Sequence, residues 1–262
     1  MKSKRFEKKR LSRGIFILPN IFTSLNLFCG FYAIIASIDG KYVAGAIAII
    51  IAVIFDMLDG KIARATNTTS KFGMEYDSLA DLISFGLAPG LMVYLWALRP
   101  LGRIGWLAAF LFMACGALRL ARFNTKAGSS SSNYFIGLPI PGGAGMAAAT
   151  VLFCHRLNIS ESINPVIILL MLYALAFLMV STINYKSFKK NPEPFQKINF
   201  NVLVTAILIM IFIAAQPSIT MFFLGCVYIV SGPFITIRLY HKDIKQKKVE
   251  SLESERHNSN TI

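Results

Sequence analysis

The sequence predicts an all-α membrane protein that crosses the bilayer about eight times. Hydrophobic side chains make up 55% of the 262 residues, charged side chains only 15%, and the mean hydropathy is +0.58. Soluble domains carry about 25% charged residues, so this composition excludes an ordinary soluble enzyme. The apolar runs are long and uniform, whereas a membrane β-barrel alternates in hydrophobicity over roughly ten residues. In addition, most Lys and Arg residues lie outside the apolar runs and not within them.

The predicted helices follow from the lengths of the apolar runs, because a helix needs about 20 apolar residues to cross a bilayer. Polar, glycine or proline clusters separate eight such runs, at 20–38, 43–65, 72–98, 104–123, 139–153, 165–183, 202–215 and 219–239. The fifth and seventh are short. We therefore expect one transmembrane domain, 20–240, between a basic segment, 1–19, and a polar, disordered tail, 241–262.

The positive charges predict the orientation. With both termini inside, 23 of the 27 Lys and Arg fall on inner segments, and only Lys41, Arg99, Arg103 and Arg156 fall outside. Lys and Arg concentrate on cytoplasmic loops, so the sequence predicts cytoplasmic termini in the inner membrane. The net charge of +14 is then explained by the membrane topology and by attraction to anionic membrane lipids. No nucleic-acid partner is expected. The basic segment 1–19 either lies along the lipid surface or is a solvated tail.

Four aspartates, Asp56, Asp59, Asp77 and Asp81, lie within 26 residues at the inner ends of the second and third runs. Ionisable groups at membrane depth are costly and indicate function. Residues three or four apart share a helix face, so each helix carries one pair on one face. The short basic turn between the helices makes them antiparallel, and the two acidic faces are predicted to meet.

Converging carboxylates require a positive partner if they are to remain ionised. Divalent cations of the Mg²⁺ type bind through a few carboxylates and substrate phosphates, and paired metals assist displacement at phosphorus. The acidic cluster therefore predicts a site for two divalent ions, Mg²⁺ or Mn²⁺, bridged by a pyrophosphate. A proton or ion relay in a transporter is the alternative that these residues leave open.

Small and basic residues flank the aspartates. Gly60 and Gly73 lack a Cβ, so a phosphate or sugar could approach the backbone there. Arg64 lies about one turn beyond Gly60 and can pair with a phosphate as a planar fork. These residues are consistent with a nucleotide or phosphate ligand.

The spacing Asp56-x-x-Asp59-Gly60-x-x-Ala63-Arg64, eight residues, Gly73-x-x-x-Asp77-x-x-x-Asp81 resembles the signature of the CDP-alcohol phosphatidyltransferases at every fixed position. Segments 18–23, 26–31, 84–89, 117–124 and 135–141 resemble the phosphatidylserine synthase branch of that family. The last three apolar runs resemble the family only in hydrophobicity. The resemblance implies the family fold and transfer of a phosphatidyl group from CDP-diacylglycerol to an alcohol.

The resemblance also implies roles for individual residues. The divalent ions would be bound by Asp56, Asp59 and Asp77 with help from Asp81, which would also act as the general base. CDP-diacylglycerol would contact Asn20, Thr23, Gly60, Arg64, Ser70 and Gly73. A serine carboxylate needs a basic partner, for which the candidates are Arg119 and Arg122, with Asn124 third. Ordinary positive-inside anchoring is the other interpretation of the two arginines.

The acceptor alcohol is indicated by Leu82, which follows the fourth aspartate. Phosphatidylglycerophosphate synthases usually have a lysine there, so its absence favours a neutral or zwitterionic acceptor such as L-serine, with phosphatidylserine and CMP as products. Glycerol phosphate, inositol phosphate or choline remain alternative acceptors, and an ion-coupled transporter the alternative class. Gly142, Gly143 and Gly145 permit close helix packing, either in a homodimer or within one chain.

Overall fold

The computed structural model describes residues 2–66, 68, 70–126, 134–159, 162–186, 204–205, 208, 210, 212, 215–236 and 238. The helices with described bounds are α1 (Lys2–Ile38), α2 (Tyr42–Ala65), α3 (Lys71–Leu101), α4 (Arg103–Lys126), α5 (Ile140–Arg156), α6 (Pro165–Val180) and α7 (Pro217–Thr236). The described residues between 204 and 215 are also helical. Five of the helices α1 to α7, all except α5 and α6, contain a segment long and apolar enough to cross a membrane. The predicted all-α membrane fold is confirmed.

The predicted apolar runs correspond closely to these helices. The apolar part of α1 covers Leu18–Ile38, against the predicted 20–38, although the helix itself begins at Lys2 within the basic segment. Helices α5 and α6 correspond to the fifth and sixth runs. The seventh run, 202–215, and the tail, 241–262, lie mostly or wholly outside the described residues. The count of eight spans therefore stays a prediction.

The helix boundaries follow from local chemistry. Gly40 adopts a φ of 75° in the turn between α1 and α2, and Gly102 adopts 56° between α3 and α4, conformations that glycine reaches without a Cβ penalty. Helix α3 begins after Ser70, whose hydroxyl accepts a hydrogen bond from the Gly73 N–H at 2.9 Å. This side-chain cap satisfies one of the free N–H groups of the first turn.

Helix α3 changes its winding along its length. It is α-helical over Lys71–Asp81, wider and π-helical over Leu82–Leu87, α-helical again over Ala88–Val93, and π-helical over Tyr94–Leu98. A 3₁₀ turn over Arg99–Leu101 ends it. Such π-helical turns are rare and are often found at functional sites. The first of them begins directly after Asp81.

The packing of the bundle depends on small residues. Gly30 of α1 lies so close to Ser84 of α3 that a Cβ there would overlap it. A Cβ on Gly142 of α5 would lie 3.2 Å from the Tyr228 ring of α7, and one on Gly143 would lie 3.5 Å from Phe112 of α4. These two glycines therefore serve packing within the chain, while the homodimer stays a prediction.

A short antiparallel strand pair joins the segment before α5 to the segment after α6. Strand β1 (Tyr134–Ile136) pairs with β2 (Asn184–Lys186). Tyr185 of β2 is fully buried, and its hydroxyl donates a hydrogen bond to the carbonyl oxygen of Ile229 in α7 at 3.2 Å. The strand pair thus ties the segment after α6 to α7.

Candidate active site between the first four helices

Three aspartates from two helices converge at one end of the bundle. Asp56 and Asp59 lie near the end of α2, and Asp77 lies in the second turn of α3. One carboxylate oxygen of each lies within 4.8 Å of the other two. Asp59 is 5% exposed and the other two are half-buried. The two acidic faces meet as predicted, and this all-oxygen donor set fits a divalent cation.

Helix α1 supports the cluster through Thr23. Its hydroxyl lies 2.9 Å from Oδ2 of Asp59, to which it donates, and 3.2 Å from the carbonyl oxygen of Pro19. Thr23 is buried. Thr23 thus contacts the acidic cluster directly, whereas the sequence analysis placed it only in the nucleotide site. A hydrogen bond of this kind orients a carboxylate that serves as a metal ligand.

Asp81 lies one turn further along α3 and is not part of the group of three mutually close carboxylates. It is buried, and its Oδ1 accepts a hydrogen bond from Nδ2 of Asn26 in α1 at 3.1 Å. Arg119 of α4 interacts electrostatically with Asp81 and Asp56. Asp81 therefore has a hydrogen-bond partner of its own on α1, Asn26, and shares the interaction with Arg119 with Asp56.

Three buried side-chain atoms in the described part of the chain lack a hydrogen-bond partner: Oδ1 of Asn26, Oδ1 of Asp77 and Nε of Arg119. Unpaired polar atoms are uncommon in protein interiors and call for an explanation. All three belong to the acidic cluster or to residues beside Asp81. Two acceptors and one donor gathered there are consistent with a site that takes a cation and a polar substrate.

The residues predicted to contact CDP-diacylglycerol form two groups around the cluster. On α2, the Arg64 guanidinium folds over Gly60, where a Cβ would lie 3.5 Å from it, and Arg64 interacts electrostatically with Asp56. Across the site, a Cβ on Gly73 would lie 3.1 Å from Oγ of Ser70 and 3.5 Å from Oδ1 of Asn20. With Thr23, which donates to Asp59, these residues make up the full set predicted to contact CDP-diacylglycerol.

The three predicted serine-binding residues have separate environments. Arg119 is the one that interacts with Asp81 and Asp56. Arg122 donates to the carbonyl oxygens of Val180 at 3.0 Å and Ser181 at 3.3 Å, at the end of α6. Asn124 donates to Oγ of Ser78 at 2.9 Å. The structure thus brings Arg119 to the aspartates and gives Arg122 and Asn124 contacts that join α4 to α6 and α3.

Two neighbours of the site were not singled out from the sequence. Asn26 is a fully buried polar residue inside an apolar run, and this pattern could have marked it. Tyr228 of α7 lies within electrostatic range of Arg119. Nothing in the sequence around Tyr228 distinguishes it from the other tyrosines of the membrane helices.

The apolar helices and the acidic cluster define a membrane-embedded protein with a carboxylate site that could hold a divalent metal ion. The chain belongs to the CDP-alcohol phosphatidyltransferase family, which residues 16–180 match. The resemblance found in the signature is therefore confirmed.

Individual relatives in the family are also similar to this chain. It is 37% identical over 208 residues to a CDP-diacylglycerol–serine O-phosphatidyltransferase of Helicobacter pylori (strain ATCC 700392 / 26695), covering 79% of this chain and 86% of the relative. The Bacillus subtilis (strain 168) enzyme of the same name is 36% identical over 174 residues, 66% and 92% of the two chains. The archaetidylserine synthase of Methanothermobacter thermautotrophicus is 38% identical over 170 residues, 64% and 69%.

Proposed function

We propose that this protein transfers the phosphatidyl group of CDP-diacylglycerol to the hydroxyl of L-serine, forming phosphatidylserine and CMP. The observation that carries the proposal is the convergence of Asp56, Asp59 and Asp77 beside the separately held Asp81. Relatives at 36–38% identity with serine-transferring names support the choice of acceptor.

Asp56, Asp59 and Asp77 would hold the divalent metal, Mg²⁺ or Mn²⁺, and two ions are proposed with help from Asp81. Bound metal supplies positive charge that stabilises the phosphates of the substrate and the departing CMP. Thr23 keeps the Asp59 carboxylate oriented through its 2.9 Å hydrogen bond. The unpaired Oδ1 of Asp77 is consistent with this ligand role.

CDP-diacylglycerol would bind between the two groups of residues that border the cluster. Arg64 can pair with a phosphate oxygen beside Gly60, where no Cβ stands between ligand and backbone. Asn20, Ser70 and Gly73 lie close together and would also contact CDP-diacylglycerol. The cytidine would be held near Gly60, Arg64 and Ser70. The acyl chains would remain in lipid, since the helices around the site are apolar and membrane-spanning.

Asp81 would accept the proton of the serine hydroxyl, a role that requires hydrogen-bond reach in the bound complex. The serine oxygen then forms a bond to the phosphorus nearest the diacylglycerol, and the bond from that phosphorus to the bridging oxygen breaks. CMP leaves with that oxygen, and the proton remains on Asp81. Arg119 lies beside Asp81 and would bind the serine carboxylate.

The active site is proposed to face the cytoplasm from the inner membrane. The aspartates lie near the junction of α2 and α3, beside the basic turn with Lys61, Arg64 and Lys71. Positive charge concentrates on cytoplasmic segments, and serine and CDP-diacylglycerol would both be available on that side. Protease cleavage between α2 and α3 in inside-out vesicles, and not in right-side-out vesicles, is the expected result.

The proposed reaction can be tested with the purified protein in detergent and CDP-diacylglycerol. Mg²⁺ or Mn²⁺ is added with one labelled alcohol at a time: L-serine, glycerol phosphate, inositol phosphate or choline. Labelled phosphatidylserine, with an equal amount of CMP, is the expected product. Label in another lipid would assign a different acceptor. Ion movement in proteoliposomes without consumption of CDP-diacylglycerol would support the transporter class instead.

A further inference from the structure

Asn26 occupies a position in α1 that no role assigned so far explains. The side chain is 0% exposed, and its Nδ2 donates to Oδ1 of Asp81 at 3.1 Å. Asp81 is the proposed base, so Asn26 is bonded directly to the group that would take the serine proton. Besides packing, an amide at this position can form hydrogen bonds through both its nitrogen and its oxygen.

The orientation of the amide follows from its partner. An ionised carboxylate only accepts hydrogen bonds, whereas an amide offers donors on nitrogen and lone pairs on oxygen. The Asn26 nitrogen therefore faces Asp81 and leaves the amide oxygen for another donor. That oxygen, Oδ1, is buried and has no partner among the residues that the structure describes.

The backbone of Asn26 is fixed relative to Asp81. Its carbonyl oxygen accepts a hydrogen bond from Oγ of Ser84 at 3.0 Å, and Ser84 lies one turn beyond Asp81 on α3. One turn further along α1, Gly30 packs against Ser84 so closely that a Cβ would overlap it. These two contacts hold the amide in register with the aspartate.

Arg119 provides an unpaired donor among the described groups that interact with Asp81. Arg119 interacts electrostatically with Asp81, and its buried Nε–H has no partner in the described part of the chain. We take Asn26, Asp81 and Arg119 together as the candidate group for serine recognition. It offers one free acceptor and one free donor beside the proposed base, and serine carries one ammonium and one carboxylate beside its hydroxyl.

We propose that Asn26 recognises the ammonium group of serine: its Oδ1 accepts a hydrogen bond from that ammonium while its Nδ2 keeps Asp81 in place. The inference rests on the proposed function and adds the residue that selects an amino-containing acceptor. Arg119 then meets the carboxylate, so the two ends of the zwitterion bind to residues of different helices.

The test uses two fragments of serine as competitive inhibitors. Ethanolamine keeps the ammonium and lacks the carboxylate, whereas 3-hydroxypropionate keeps the carboxylate and lacks the ammonium. Their Ki values against L-serine are measured in the full-length protein and in Asn26→Leu, a substitution of similar volume. The ethanolamine Ki should rise by about tenfold or more, as for a lost hydrogen bond to a charged group, and the 3-hydroxypropionate Ki should stay within about threefold.

Ser84→Ala provides the matched control. It removes the hydrogen bond to the Asn26 carbonyl and keeps the amide, so the ratio of the two Ki values should stay as in the unsubstituted protein. Equal changes of both Ki values in Asn26→Leu would overturn ammonium recognition and leave Asn26 as a positioning residue for Asp81.

Asn26→Asp keeps the test decisive if Asn26→Leu does not fold. The substitution retains an acceptor for the ammonium but cannot donate to an ionised Asp81. The ethanolamine Ki should therefore stay the same or fall, because a carboxylate accepts a stronger hydrogen bond from an ammonium than an amide does, while kcat falls; a rise of the ethanolamine Ki would overturn the inference. Absence of serine transfer by the unsubstituted protein would contradict the proposed function instead, so the two failures are distinguishable.

Discussion

Replacement of Thr23 by valine should weaken metal binding without removing any proposed metal ligand. Valine has nearly the shape of threonine but no hydroxyl, so Thr23→Val deletes the 2.9 Å hydrogen bond to Asp59 and leaves the packing of this buried position almost unchanged. Asp59 would keep its place in α2 but lose the donor that orients its carboxylate.

The size of the effect follows from the charge and burial of the bond. A hydrogen bond to a charged group contributes about 1.5–3 kcal/mol, and each 1.4 kcal/mol corresponds to about a tenfold change in an equilibrium constant. Both partners are at least 95% buried, with Thr23 3% and Asp59 5% exposed, so water replaces the bond poorly. Metal affinity should fall by roughly 10–100-fold, the range typical of residues that orient metal ligands.

The assay is the Mg²⁺ concentration that gives half-maximal CMP release, at saturating CDP-diacylglycerol and serine. Ser37→Ala is the control, because Ser37 is also a buried hydroxyl on α1 but donates to the Ala33 carbonyl of its own helix at 2.6 Å. An unchanged half-maximal Mg²⁺ concentration in Thr23→Val would refute the reasoning. A raised KM for CDP-diacylglycerol with unchanged metal dependence would instead support a role of Thr23 in binding the nucleotide.

Three further predictions address the base, the metal and the helix contact. Asp81→Asn should nearly abolish CMP release while CDP-diacylglycerol binding, measured by equilibrium dialysis, is largely retained; near-normal turnover would exclude Asp81 as base. EDTA should stop turnover and added Mg²⁺ or Mn²⁺ should restore it, whereas turnover in excess EDTA would contradict a metal site. Gly30→Ala should lower the free energy of unfolding by about 1–3 kcal/mol, seen as a lower Tm, because the new methyl overlaps Ser84; an unchanged Tm would mean that α1 and α3 separate freely.

Much of the fold could be predicted because helix formation in a bilayer depends on local composition. The predicted run 43–65 corresponds to Tyr42–Ala65, and 165–183 corresponds to Pro165–Val180. The start of α1 at Lys2 was not foreseen, since a basic segment carries no apolar signal. The π-helical turns of α3 were not predicted either, because they depend on packing against neighbouring helices and no residue pattern in the sequence indicates them.

The acidic cluster was predictable for a different reason. Asp56 with Asp59, and Asp77 with Asp81, share faces through helical spacing alone, and the short turn between α2 and α3 makes the faces meet. The bonds that join α1 to this cluster connect positions 36 and 55 residues apart. Spacing along one helix does not tell which side chain of another helix it will meet, so the partner Asn26 came from the structure.

The wide turn over Leu82–Leu87 separates α3 into two parts with different rotational phase. In a regular α-helix each residue turns the chain by about 100° around the helix axis. Loss of one residue inside this segment would therefore rotate the part of α3 after Leu87 by about that angle relative to Asp77 and Asp81. Ser84 would then lose its hydrogen bond to the Asn26 carbonyl oxygen, and the residues after Leu87 would lose their contacts with α4 and α5. The number of residues in this segment therefore sets how the aspartates of α3 are oriented relative to the rest of the helix, and a one-residue insertion or deletion there should disturb the site even if every side chain around it is kept.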